Sequence, residues 1–208
     1  MKTLVNVLFS AALAVTACSA AEPMHRAKIV KVSAQIQQTP QFQFNGPKDK
    51  TYTRRYWVEI EAEIEIETTD PTGYIAEMEA KWFAVLMDKH SHKPVRLLGT
   101  VKFKNLRAAE RRAYLSAYID PDTIERITGK ARASESDLKG VALMLSGPGI
   151  DTAGRLAEGL AKASSEEKGK WWVDWKDPDL PGLIVAKSMT PFAVLWTDRY
   201  PIEKPATP

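Results

Sequence analysis

The segment Trp57–Thr68, WVEIEAEIEIET, admits very few folds. Glu59, Glu61, Glu63, Glu65 and Glu67 alternate with Val58, Ile60, Ala62, Ile64 and Ile66. A period of two is the signature of a β-strand with one face buried and one face outward. A helix would scatter the same residues around its circumference and give no apolar stripe. The alternation also sets the register, because slipping the strand by one residue would turn five carboxylates into the core.

Other stretches repeat this logic. Lys28–Gln37, KIVKVSAQIQ, places Val32 and Ile36, with Ile29 or Val30, among polar residues, as an edge or sandwich strand does. Asn45-Gly46-Pro47 is turn chemistry. Beyond the opening strand, Tyr56–Thr68, and the turn TDPTG, a second strand is expected over Met78–Asp88, where alternation passes into a nearly continuous apolar run. A third is expected over Val95–Asn105, completing a meander. ERRAYLSAYI alternates again. Asp120, Pro121 and Gly129 carry the cap, first-turn and exit signals of a short helix crossing between sheets. The stretch DTAGRLAEGLAKASSEEKG predicts a helical insertion weakened by Gly154 and Gly159, and further extended segments follow. Seven to nine strands with one or two short helices predict a mainly β protein, an antiparallel immunoglobulin-like β-sandwich. The chain divides into a leader, residues 1–21, one sandwich domain, 28–201, and a flexible tail, 202–208, in a length of 208 residues that suits a single core.

The leader reads as an export signal: Lys2, an apolar run from Leu4 to Val15, then small residues. The run is shorter than the roughly 20 apolar residues needed to span a bilayer. Val15-Thr16-Ala17-Cys18 resembles a lipobox, and Cys18 is the single cysteine, so it is the candidate for lipidation. The other reading is an ordinary signal peptide cut after Ala20 or Ala21. Both put the protein outside the cytoplasm, in the outer membrane or periplasm or at the cell surface, with membrane attachment through the lipid if Cys18 is acylated.

Alternate glutamates stand roughly 6.7 Å apart, within the range of paired glycosidase carboxylates. Acid/base work nevertheless needs two unlike environments, and a metal needs ligands converging on a point, which a straight row does not supply. The row Glu59, Glu61, Glu63, Glu65 and Glu67 is therefore expected as a solvated face, a possible partner-binding face, paired across the sheet with cations for which Lys81, Lys102 and Lys104 are candidates. Asp88, His90 and His92 form a polar turn in preference to a metal site, and His25 lies apart. Gly149 and Gly154 have the outer spacing of a phosphate loop, but Arg155 and Leu156 stand where Lys and Ser/Thr belong. Ser146-Gly147 is no nucleophile elbow, and no catalytic residue, metal or cofactor is predicted. Trp171, Trp172, Trp175 and Trp196, with Phe192 and Tyr200, are either sandwich core or a carbohydrate- or small-ligand-binding set. The 29 Lys+Arg against 26 Asp+Glu are interleaved, which argues against a nucleic-acid partner.

YWVEIEAEIEIET, VRLLGTVKFKNL, AYIDPDTIERITGK and KSMTPFAVLWTDRYP together resemble the exported pilus-like immunoglobulin-fold proteins of verrucomicrobial type IV pilus-like gene clusters, over roughly Lys28 to Pro201. That resemblance implies a non-enzymatic cell-envelope protein whose partners are envelope or pilus-like assembly proteins or further copies of itself. The long apolar N-terminal helix of a type IV pilin has no counterpart in Leu4–Val15, so an anchored or released accessory protein is expected in place of a polymerising pilin.

Overall fold

The computed structural model describes residues 24–41, 53–134, 136–151, 160–161, 172, 174–177 and 179–204. The long strands are β1 (His25–Gln38), β2 (Tyr56–Thr68), β3 (Tyr74–Met87), β4 (Pro94–Arg107), β5 (Arg112–Ile119) and β6 (Leu138–Ser146), with α1 (Pro121–Thr128) between the last two. Short strands follow: β7 (Ile150–Asp151), β8 (Leu160–Ala161), β9 (Asp179–Pro181), β10 (Val185–Ala186) and β11 (Ile202–Glu203). One sheet has the order β10-β5-β2-β1-β7, the other β11-β4-β3-β6-β8, with β9 beside β4. The expected immunoglobulin-like β-sandwich is what the chain forms. Among the described residues it is antiparallel except for the short parallel pairs β1/β7 and β4/β9.

The inward residues of β2 meet their expectation: Val58, Ile60, Ala62, Ile64 and Ile66 are all buried at 2% exposure or less, facing Met78, Trp82 and Leu86 of β3 across one continuous core. The meander is corrected. β2 lies between β1 and β5, whereas β3 pairs with β4 and β6, so the turn after Thr68 carries the chain from one sheet to the other. Asp70 closes that turn by accepting from the Thr72 N–H, and Gly73 takes the left-handed conformation it requires. Crossing here places the apolar faces of β2 and β3 against each other, which a flat three-strand meander could not do.

The continuous apolar run in β3 has a specific cause. Trp82, Ala84 and Leu86 point into the core, while Phe83 on the opposite face packs with Leu98, Ala142 and Trp172 in a second cluster. Covered on both sides, that half of β3 has no polar face to show. α1 forms as its punctuation predicts: the Asp120 carboxylate accepts from the N–H groups of Asp122 and Thr123, and Gly129 leaves the helix with φ 74°.

Three boundaries move. The sandwich starts at His25, ahead of Lys28, because His25–Ala27 pair with Ile66–Thr68. The stretch 202–208, expected as tail, contributes β11 against Phe103 and Lys104, with 205–208 outside the described residues. Leu160–Ala161 within the expected helical insertion is extended, paired with Gly140 and Val141; 152–159 and 162–170 lie outside the described residues.

The two open sides of the sandwich are finished differently. On the β4/β5 side, β9, β10 and β11 and the segment after Ala186 add to the edges. On the β1/β6 side, among the described residues, β7 and β8 each pair over two residues, and between β1 and β6 lies a largely apolar cleft of about 580 Å³.

Candidate functional site

The outward face of β2 was expected to be solvated, and the structure corrects this along a gradient. Glu59 is buried, at 1% exposure. Its carboxylate accepts from the Tyr118 hydroxyl at 2.5 Å and from the side-chain amides of Gln35 and Gln37 at 2.7 and 2.9 Å. Cross-strand register places Gln35 and Tyr118 directly beside it, one on each neighbouring strand. Burial, and then the hydrogen bond to Glu59, push the Tyr118 hydroxyl far above the ordinary phenol range, so it stays a donor.

Glu61 is next along the row. It accepts from the Arg199 guanidinium at 2.8 and 3.1 Å and from the Tyr200 hydroxyl at 2.5 Å. Glu63 pairs with Arg112 and Glu65 with Lys28, while Glu67 is exposed. The cations differ from those expected, since Lys81, Lys102 and Lys104 lie in the other sheet, where Lys102 pairs with Glu79. A partner using this row would meet Glu63, Glu65 and Glu67, because the first two glutamates are enclosed by their own chain.

The enclosing element is the segment Lys187–Tyr200, which lies over β2 and β5 like a strap. Phe192 stacks on Tyr118 with centroids 4.9 Å apart and meets the Trp57 ring edge-on at 6.0 Å. Arg199 lies 3.7 Å above the Tyr114 ring. Lys187 is buried, its ammonium donating to the Ala193 carbonyl and facing the Tyr200 ring. That burial lowers its pKa, opposed by the charges of Glu203 and Glu59. Glu203 in turn accepts from the Lys187 and Ser188 N–H groups and fixes the start of the strap. The strap is thus held at one end by the Glu203 carboxylate of β11 and at the other by the Glu61 carboxylate of β2, with the Phe192–Tyr118 stack between them.

Burial pushes the Glu61 carboxyl up, but the donors Arg199 and Tyr200 and the charges of Arg199 and Lys31 outweigh it and hold the group below the usual carboxylate range. A depressed folded-state pKa gives stability that is present above the unfolded value, about 4.3, and lost as pH falls through the folded one. Urea titrations at pH 7 and pH 3 are therefore expected to show a larger acid loss for the wild type than for Glu61→Gln. Equal losses would mean that Glu61 does not tie the strap electrostatically.

The four tryptophans do not form one platform. Trp172 is buried on the outer face of the second sheet, against Phe83, Leu98 and Ala142. Trp175 is part-buried near it, with the Arg96 guanidinium 5.4 Å from its ring, and Trp171 lies outside the described residues. Trp196 is on the strap, half exposed, with a left-handed backbone at φ 51°. Arg96, which the sequence did not mark, is the hub of this second group: it donates to both Asp179 carboxylate oxygens at 2.7 and 2.8 Å and to the Trp172 carbonyl.

The remaining candidates have local roles. Asp88 accepts from the Ser91 N–H and hydroxyl, which lower its pKa, and His92 adopts φ 54°, so DKHSHKP is a capped turn. His25 contacts the Thr68 hydroxyl at 2.7 Å. Among the described residues no three His, Cys, Asp or Glu side chains are grouped to hold a metal ion. Ser146 ends β6 and Gly149 makes the following turn; Gly154, Arg155, Leu156 and Cys18 lie outside the described residues.

A protein-family model matches this chain over residues 18–207. A crystal structure of a protein from Akkermansia muciniphila superposes with a TM-score of 0.73 and 23% sequence identity, covering 88% of this chain and 95% of that one, a likeness of fold. No curated protein matches.

Proposed function

The chain belongs to the family whose model spans residues 18–207, and from that premise we propose that it is an exported, non-enzymatic component of the cell envelope, surface-exposed and pilus-associated, that works by assembly with other proteins. The observation that carries this reading is the match of family and fold over nearly the whole chain, combined with the use made of the polar residues. Glu59, Glu61, Arg96 and Lys187 are consumed in fastening the chain to itself. A group held in that way by its own chain stabilises a surface and is not poised to exchange protons with a substrate. The partners are envelope or pilus-like assembly proteins.

Attachment follows from the leader. The family match opens at Cys18, where the lipobox reading puts the first residue of the mature protein. Among the described residues no helix is long and apolar enough to cross a membrane. Lipid at Cys18 would tether the sandwich to the outer membrane through the short stretch before β1, with the acyl chain providing the membrane affinity. Metabolic labelling with palmitate is expected to mark the wild type and to vanish in Cys18→Ala. Label that persists in the variant would remove the lipoprotein anchor from the proposal. Protease shaving of intact cells, followed by crosslinking and recovery of bound envelope proteins, tests the surface assignment. A chain protected in intact cells and recovered without envelope proteins would overturn it.

A further inference from the structure

Among the described residues β1 is an edge strand over most of its length, its outer side paired only at His25 and Arg26, with β7. An exposed strand edge is a template for another strand, and soluble proteins guard such edges with lysine, bulges or proline. The lower half of β1 is guarded in this way. Lys28 and Lys31 stand on it, and the register against β2 breaks between Ile29 and Lys31, leaving Val30 out of step. The upper half is not. From Val32 to Gln37 the sequence is VSAQIQ, without charge, proline or bulge, in unbroken register with Trp57–Ala62.

The cleft between β1 and β6 lies along this same unguarded stretch. Ala34 and Ile36 line it beside Val58 of β2, with Leu138 and Val141 of β6 opposite. Their cross-strand partners Ile60 and Val58 are core residues, so the side of β1 that faces the cleft is the inward side. A strand added to this edge would satisfy its backbone groups and lay apolar side chains over the cleft.

The charge pattern selects the occupant. A charged edge favours a strand of opposite sign, whereas a neutral one accepts its own copy without repulsion. We infer that residues 31–37 of β1 pair antiparallel with the same residues of a second copy of this chain, joining two sandwiches edge to edge. With Ala34 on the two-fold axis, Val32 stands opposite Ile36, Ser33 opposite Gln35 and Lys31 opposite Gln37. Inward residues then meet inward residues, as pleat parity requires. No lysine faces another, and Lys28 falls outside the overlap. The pairing rests on the assembly reading above and names its partner and surface.

Cysteine placement tests it on the exported chain carrying Cys18→Ser. Under mild oxidation Ala34→Cys is expected to give a disulfide-linked dimer, because position 34 meets itself. Ser33→Cys and Gln35→Cys should link when mixed with each other and not alone. In sedimentation, the otherwise unmodified chain should dimerise with concentration, and Ser33→Lys combined with Gln35→Lys, which opposes like charges twice, should weaken the dimer by roughly tenfold or more. Thermal melts of each variant separate lost pairing from lost folding. A chain that stays monomeric up to its solubility limit, with no more linkage at 34 than at Val30→Cys, overturns the inference. So does linkage at 34, in cells, to a different protein alone. Surface shaving is independent of these readouts. Dimers of a protein that is not surface-exposed would leave the edge standing and sink the functional reading, and a surface-exposed monomer would do the reverse.

Discussion

Arg96→Ala is expected to cost about 2–3 kcal/mol in denaturant unfolding and to free the segment around Trp172 and Asp179 for protease cleavage. Arg96 stands on β4 with its side chain 8% exposed, and its planar fork donates to both oxygens of Asp179 while a third N–H reaches the Trp172 carbonyl. Its guanidinium also lies 5.4 Å from the rings of both Phe83 and Trp175. Truncation removes that donor from the Trp172 carbonyl and the cation from the Asp179 carboxylate. The figure is set below that of a fully buried pair because Asp179 is 36% exposed. Arg96→Lys should recover little, since an ammonium cannot make the bidentate pair and the third bond together. A loss under about 0.5 kcal/mol, the range of an ordinary surface substitution, with unchanged protease resistance would show that Trp172 holds this region by burial alone.

Gly99→Ala is expected to lower stability by about 3 kcal/mol, a fall in melting temperature of roughly 6–12 °C. Gly99 is on β4 opposite Trp82, and the chain passes over it at Ile184, whose N–H donates to the Leu98 carbonyl. A methyl group at this glycine would fall inside the Ile184 carbonyl oxygen and 2.6 Å from the Ile184 Cβ. Both obstacles are fixed to the backbone of a residue that is 3% exposed and part of the core, so neither can rotate away. The crossing between β9 and β10 must lift, and with it the start of the strap that covers Glu59. Tryptophan emission should therefore shift on the native baseline as well as at the melt, because Trp57 lies under Phe192. A melting temperature within measurement error of wild type would mean that the chain crosses β4 elsewhere.

Much of the frame was legible because alternation reports burial directly. The inward row of β2, the strand status of VRLLGTVKFKNL and the caps of α1 each follow from a local rule, and each holds. The meander was misread because the turn TDPTG says where the chain reverses and nothing about which sheet it enters. Extension at Leu160–Ala161 was misread because intrinsic helix preference is weak against pairing with β6. The tryptophans carried the right composition for a platform, but Trp172 and Trp196 follow different covering segments to different sheets.

What the sequence determined by itself is the inner half of WVEIEAEIEIET: five apolar residues at period two commit β2 to the core, and the carboxylates forbid any other register. What only the tertiary structure decided is the fate of those carboxylates. Glu59 is buried and Glu67 is exposed on the same strand face, although both belong to one alternating row of glutamates. The difference is made for Glu59 by Tyr118, 59 positions along the chain, with Phe192 stacked on it, and for Glu61 by Arg199 and Tyr200, 138 and 139 positions away. Periodicity records which side of a strand faces its own sheet's core. What comes to lie on the other side depends on the path of distant segments, and only the folded chain brings those together.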